Sequence, residues 1–298
     1  MDVTRCRAFV SAVEQGSFSA AAEALHYTPS GISQLVTALE QELELTLLRR
    51  TQRGVTPTAA GETILPAVRA FLQQGERVEQ TAAELNNLHL GSIHVATYPS
   101  MAMMYLPGVL RDFLNQYPNI QIQVREGERR ELLQWLQNGE ADLAFLAGGE
   151  LLPGDWLPLA EDPMLALISK DHPMACAKSF PIEKLKDEHF IMGGQGLDTD
   201  AVEMLAAYGV HPNVSLSTVS GLSVLAMVEN GLGISVMNGL VTETYPFQGV
   251  KLPLNPPQQI TLGILVPDLD AAPPAVQRFI DFAVKRLTQK QSDRREHP

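Results

Sequence analysis

Between Thr58 and Leu88 the residues Ile64, Val68, Phe71, Gly75, Val78, Ala82 and Leu85 recur at alternating spacings of four and three. That is the seam of a long helix able to pair with a second helix. An uninterrupted helix of about 31 residues would span roughly 45 Å. Gly75 weakens the seam, and Pro66 removes one helical hydrogen bond. A chain of 298 residues divided this way cannot bury a single core. The spacing predicts a small domain over residues 1–58, a linker and dimerisation helix over 59–90, and a larger domain over 91–298. The same stripe would also suit an amphipathic helix packed on its own domain.

Residues 1–60 read as three short helices followed by a hairpin. Phe9, Val10 and Val13 mark the first helix, and Gly16 ends it. Ser17 can cap an alanine-rich second helix, whose small residues allow close approach of a third. Thr28 or Ser30 then caps a helix with Pro29 at its start and an apolar stripe of Ile32, Val36, Leu39 and Leu43. Its opposite face offers Ser30, Ser33, Gln34 and Thr37. Such side chains donate and accept hydrogen bonds, and Gln can address adenine in the major groove. Leu47 to Thr58 reads as two short strands, with Arg49, Arg50 and Arg53 placed to meet phosphate or the minor groove. The expected fold is a winged helix-turn-helix. The bland alternative is a small helical domain with a charged hairpin.

A net charge of −12 argues against nucleic acid for the chain as a whole. Residues 1–60, however, hold five arginines against six carboxylates, so most of the acidity lies beyond them. Cys6 and Cys176 are the only cysteines, which argues for a reducing compartment and against a disulfide framework or a four-ligand zinc site. With no basic-apolar leader at residues 1–5 and no long apolar run, the expected location is the cytoplasm, without membrane contact.

The run from Phe9 through Gly16-Ser17-Phe18-Ser19-Ala20-Ala21-Ala22, Leu25-His26, Thr28-Pro29-Ser30, Ile32-Ser33 and Leu39-Glu40 resembles the signature of LysR-type transcriptional regulators. Leu47-Leu48-Arg49-Arg50 and Thr56-Pro57-Thr58-Ala59-Ala60-Gly61 resemble that family's wing and linker entry. The resemblance implies duplex DNA as a partner, read by Thr28, Pro29, Ser30, Ser33, Gln34 and Thr37, with Arg49, Arg50 and Arg53 on the wing. It also implies a homodimer or homotetramer built partly on the long helix. Many relatives carry Arg where this chain has Gln34, so phosphate anchoring should rest more on the wing.

Residues 91–298 alternate strand and helix in two runs, 92–146 and 190–236, and predict a parallel α/β architecture. The runs echo one another: Pro118-Asn119-Ile120 parallels Pro212-Asn213-Val214, and Asn138-Gly139 parallels Asn230-Gly231. Two such lobes resemble a periplasmic-binding-protein-like sensor, with lobe I at 91–161 and 266–298 and lobe II at 162–265. Ligands of open α/β sheets sit at the strands' carboxyl ends. That places Ser100, Met101, Ser220, Gly221, Gln195 and Gly196 at a cleft, with Ser100 and Ser220 possible helix caps. Arg129 could pair with an anion or belong to a surface charge cluster. The expected ligand is a small, anionic effector; no cofactor, metal site or catalytic group is expected. The alternative is a solute-binding or enzymatic α/β protein with a fused helical interaction module.

Overall fold

The computed structural model describes residues 1–51, 54–85, 90–149, 151–194 and 200–296. Three helices open the chain: α1 (Val3–Gln15), α2 (Phe18–Leu25) and α3 (Pro29–Leu43). Each starts at a side-chain cap. Asp2 accepts from the N–H of Thr4 and Arg5, Ser17 from Ser19 and Ala20, and Thr28 from Gly31. These oxygens satisfy donors that the first helical turn leaves open. Thr28, not Ser30, therefore caps α3, and Ser30 Oγ lies 3.1 Å from Thr28 Oγ1. Phe9, Ile32, Leu39 and Leu47 are fully buried among the three helices, with Cys6 beside them.

The wing is an antiparallel pair, β1 (Leu48–Thr51) and β2 (Gly54–Pro57). Its position is fixed at the α1–α2 turn, where Val55 N–H donates to the carbonyl of Gly16 at 2.7 Å. Gly16 turns at φ 61°, a conformation glycine adopts without penalty.

Helix α4 (Ala59–Leu85) is continuous through Pro66. Its seam is divided. Val68 is buried in the head, with Ile64 and Phe71 packed beside it, whereas Val78 and Leu85 are 69% and 84% exposed. A different face, Arg69, Gln73, Arg77 and Gln80, meets the larger domain. Arg69 pairs with Glu140 at 2.9 Å, Arg77 donates to the Asp270 carbonyl at 3.0 Å, and Gln80 Oε1 accepts from Ala275 N–H at 3.3 Å. The helix thus lies along its own sensor and does not hold the head away from it. Spacing alone could not show this, because the second face is polar.

Lobe I comprises β3 (Gly91–Thr97), α5 (Pro99–Met104), α6 (Leu106–Gln116), β4 (Ile120–Glu126), α7 (Arg129–Gln137) and β5 (Leu143–Ala147). Strand β3 runs parallel to both β4 and β5. Then comes β6 (Asp155–Ile168), a 14-residue strand that serves both lobes. Lobe II adds β7 (Phe180–Pro181), β8 (His189–Gly193), α8 (Asp200–Ala207), β9 (Asn213–Thr218), α9 (Gly221–Glu229), β10 (Ser235–Asn238), α10 (Gly239–Thr244) and β11 (Val250–Asn255). The chain returns through β12 (Gln259–Val266) and ends in α11 (Pro274–Glu296). Residues Asp155–Pro163 of β6 pair antiparallel with β12, and Met164–Ile168 with β10 and β11.

The expected lobe boundary at 265/266 is corrected. Leu262, Ile264 and Val266 of β12 are buried in the core of lobe I with Phe113, Phe145 and Phe279, so the return crossing precedes Gln259. The internal repeat is structural. Asn138 and Asn230 both end helices by donating back to them, and Gly139 and Gly231 follow at φ 64° and 71°.

Candidate functional site

Two surfaces gather the residues singled out by sequence. On the head, Thr28, Pro29, Ser30, Gln34 and Thr37 are exposed along α3, and Ser33 is half-buried. Ile32, Val36 and Leu39 point the other way into the core. Arg49 and Arg50 are exposed on β1. Arg50 bends toward α3: its Nη2 donates to Ser33 Oγ at 2.6 Å, and its guanidinium lies 4.9 Å from the centre of the Phe18 ring. The hydroxyls of Thr28, Ser30 and Ser33 are therefore already engaged, while Gln34 and Thr37 are exposed. Arg53 lies outside the described residues.

Between the lobes lies a cavity of about 360 Å³. Tyr98, Ser100 and Glu128 enter from lobe I, and Met164, Asp200, Ser220, Gly221, Met237, Val241 and Tyr245 from lobe II and the crossing strand. Ser220 caps α9 by accepting from Ser223 N–H at 3.3 Å. Ser100 lines the cleft but is not a cap: α5 begins after Tyr98, with no side-chain bond at its start. Met101, expected at the cleft, is fully buried in the core of lobe I, because the next position along α5 faces inward. Gln195 and Gly196 lie outside the described residues.

Arg129 stands at the first turn of α7 and is 8% exposed. Its Nη1 donates to Glu203 Oε1 at 2.6 Å, and its Nη2 to Asp200 Oδ1 and to the Ala147 carbonyl, both at 3.0 Å. Neither sequence-based reading of this arginine describes it. It is not on the surface, and it already holds two carboxylates of the opposite lobe. Tyr98 beside it has its phenol pushed well above the usual range by burial, with the nearby Asp200 charge adding to the effect. Burial likewise raises the carboxyl of Glu128, reinforced by Glu131 and Asp200.

Two family models match the chain: "Bacterial regulatory helix-turn-helix protein, lysR family" over residues 3–62, and "LysR substrate binding domain" over residues 86–288. The chain belongs to the LysR family. It is 28% identical to the uncharacterized HTH-type transcriptional regulator YvbU of Bacillus subtilis, over 95% of this chain and 98% of that one. Its fold is similar to that of a full-length OxyR variant from Pseudomonas aeruginosa, with a TM-score of 0.78 at 23% identity over 96% of this chain and 94% of that one. It is also similar to CbnR complexed with its target DNA, with a TM-score of 0.64 at 20% identity over 96% of this chain and 100% of that one. The protein is a DNA-binding transcriptional regulator with an effector-binding domain, not an enzyme. Among the described residues no helix is long and apolar enough to cross a membrane.

In this LysR regulator a third constellation, missed by sequence reasoning, joins head, linker helix and lobe I. Arg69 is 7% exposed and pairs with Glu14 of α1 at 3.1 Å as well as with Glu140. Arg125 donates to the second oxygen of Glu140 at 2.9 Å. Burial opposes ionisation of Glu140, but its bonds from Asn138, Arg69 and Arg125 outweigh that and hold its carboxyl below the usual range. None of these residues stands out in the sequence; only the docking of α4 assembles them. The cleft residues Tyr98, Glu128 and Asp200 escape sequence reasoning for a related reason. They stand at the starts of three separate helices, α5, α7 and α8, and only the strand-end rule hints at the first of them.

Proposed function

We propose that this regulator reads duplex DNA with Thr28, Pro29, Ser30, Ser33, Gln34 and Thr37, anchors phosphate through Arg49, Arg50 and Arg53, and answers to a small molecule held between its lobes. The supporting observation is the cleft itself. A cavity bounded by both lobes changes shape when they move, so a ligand there binds open and closed forms unequally, as any effector must. Arg69, paired with Glu14 of the head and Glu140 of lobe I, gives such a movement a route to the DNA-reading surface.

The exposed half of the α4 seam, Val78, Ala82 and Leu85, supports assembly into a homodimer or homotetramer. Two heads would then address two half-sites. A DNA-binding role supports a cytoplasmic location. The sequence-based expectation of an anionic effector has one structural support, the N-terminus of α9 at Ser220 and Gly221. Against it stands the lining, whose charged side chains are Glu128 and Asp200.

The test is a mobility shift on the chain's own promoter region, with random duplex as competitor. Gln34→Ala should reduce the preference for the specific site by about 1–3 kcal/mol while non-specific binding is unchanged. Unchanged preference in a Ser33→Ala/Gln34→Ala double variant would move the reading face elsewhere.

A further inference from the structure

We infer that the cleft selects a ligand with an apolar body and a positively charged head, an organic amine or ammonium ion. The inference rests on reading the cleft as the effector site. Its walls are apolar where Met164, Val236, Met237 and Val241 line it. Its charged lining residues are Glu128 and Asp200, and no Lys, Arg or His is among the described residues that line it. Tyr98 and Tyr245 add aromatic rings, whose faces attract cations.

Arg129 is the group that would argue for an anion, and its geometry removes it. The terminal nitrogens of this buried guanidinium hold Glu203, whose side chain is itself exposed, together with Asp200 and the Ala147 carbonyl, and its buried Nε has no hydrogen-bond partner among the described residues. An anion reaching Arg129 would displace those carboxylates and leave them without a cation, an exchange that gains no net pairing. Of the two lining carboxylates Asp200 is paired with Arg129, so Glu128 leaves the described lining with a negative excess after that pairing. Among the described residues no ion pair reaches Glu128, whose side chain closes the α7 capping box on the backbone of Glu131 and carries its negative charge uncompensated. Burial and its acidic neighbours disfavour its ionised form, which an ammonium group would relieve. The remaining attraction for an anion, the start of α9, is already partly occupied, because Ser220 Oγ takes the N–H of Ser223.

The experiment titrates the full-length protein by calorimetry with phenethylamine and with 3-phenylpropionate, which share an apolar body and differ in charge. The amine should bind about tenfold more tightly, and Glu128→Gln should erase that margin, the usual order for one partly buried ion pair. Gly221→Leu fills the cleft: its Cβ would meet Met237 Cε at 3.4 Å and Val241 Cγ1 at 3.5 Å without a clash. It should abolish binding of the amine. If the carboxylate binds better and Gly221→Leu abolishes it, the charge inference is overturned while the cleft stands as the effector site. Binding that survives Gly221→Leu lies outside the cleft and overturns both. An amine that gives no heat at millimolar concentration overturns the charge inference alone.

Discussion

The head and the sensor each set an arginine at the margin of a surface that meets a partner, and they hold it in opposite ways. Arg50 is exposed, makes one hydrogen bond to Ser33 and stacks on Phe18. Most of its five N–H donors remain open, so a phosphate oxygen can be added without breaking anything. Arg129 is buried and gives its terminal nitrogens to Glu203 and Asp200 of the opposite lobe and to the Ala147 carbonyl of its own lobe. The first arginine is a ligand in waiting; the second is a strut. An arginine near a site thus belongs to that site only if its donors are open, which a sequence does not record.

The largest effect that can break this contrast comes from removing the strut. Arg129→Met removes the cation that Asp200 and Glu203 share. It should cost roughly 2–4 kcal/mol, less than for a fully buried pair because Glu203 is exposed. Urea unfolding checks it, and adding Asp200→Asn to the same chain should recover part of the loss. An Arg129→Met protein as stable as the parent would mean that its ion pairs hold nothing together.

Next in size is assembly. Val78→Glu places a charge on the exposed half of the α4 seam and should lower the dimer fraction in sedimentation, since a buried unpaired carboxylate is unfavourable by several kcal/mol. Phe71→Glu should act differently. Phe71 packs on the head within its own chain, so that variant should lose head stability before it loses dimer. If both behave alike, the seam is not divided as the exposure of Val78 and Leu85 indicates.

On the head, Gln34→Ala should cost about 1–3 kcal/mol on the specific site and nothing on random duplex. Arg50→Ala should weaken both and reduce the salt slope by about one. Equal losses on the two DNAs for Gln34→Ala would make it a second anchoring residue.

The contrast also explains what is legible in the sequence. The head is made of local signals. Asp2, Ser17 and Thr28 cap the helices they precede, Gly16 ends α1, and Ile32, Val36 and Leu39 mark the buried side of α3. Each acts within a turn or two, so spacing suffices. The cleft is made of non-local ones. Strand β6 carries Pro158 and Pro163 and changes partners midway, from β12 to β10 and β11, which no periodicity announces. Hence spacing puts the return crossing too late, at 265, and puts Met101 in a cleft that only its neighbour Ser100 reaches. Arg129 reads as surface or ligand because its carboxylate partners lie more than 70 positions away.

The smallest expected effect concerns the junction where α4 docks on lobe I. His94 on β3 sits 3.3 Å from Asp142 through Nδ1, and Asp142 also accepts the backbone N–H of His94 at 2.7 Å. The bond to Asp142 raises the imidazole above its ordinary 6.5 against the opposing effect of burial, and Glu76 and Glu14 add to the rise. Glu76 of α4 is itself raised, by burial and then by Asp142. Both groups favour their protonated forms in the folded chain. Their contributions are therefore complete at low pH and fade as pH rises, for Glu76 from about 4.5 upward and for His94 from about 6.5 through its higher folded value. Because the His94 side chain is 41% exposed, solvent screens the pair and the effect is modest. Thermal melts between pH 6 and pH 8 should show stability falling with pH in the parent and a flatter profile in His94→Gln. A parent whose stability does not fall over that interval would show that the His94–Asp142 pair does not stabilise the junction.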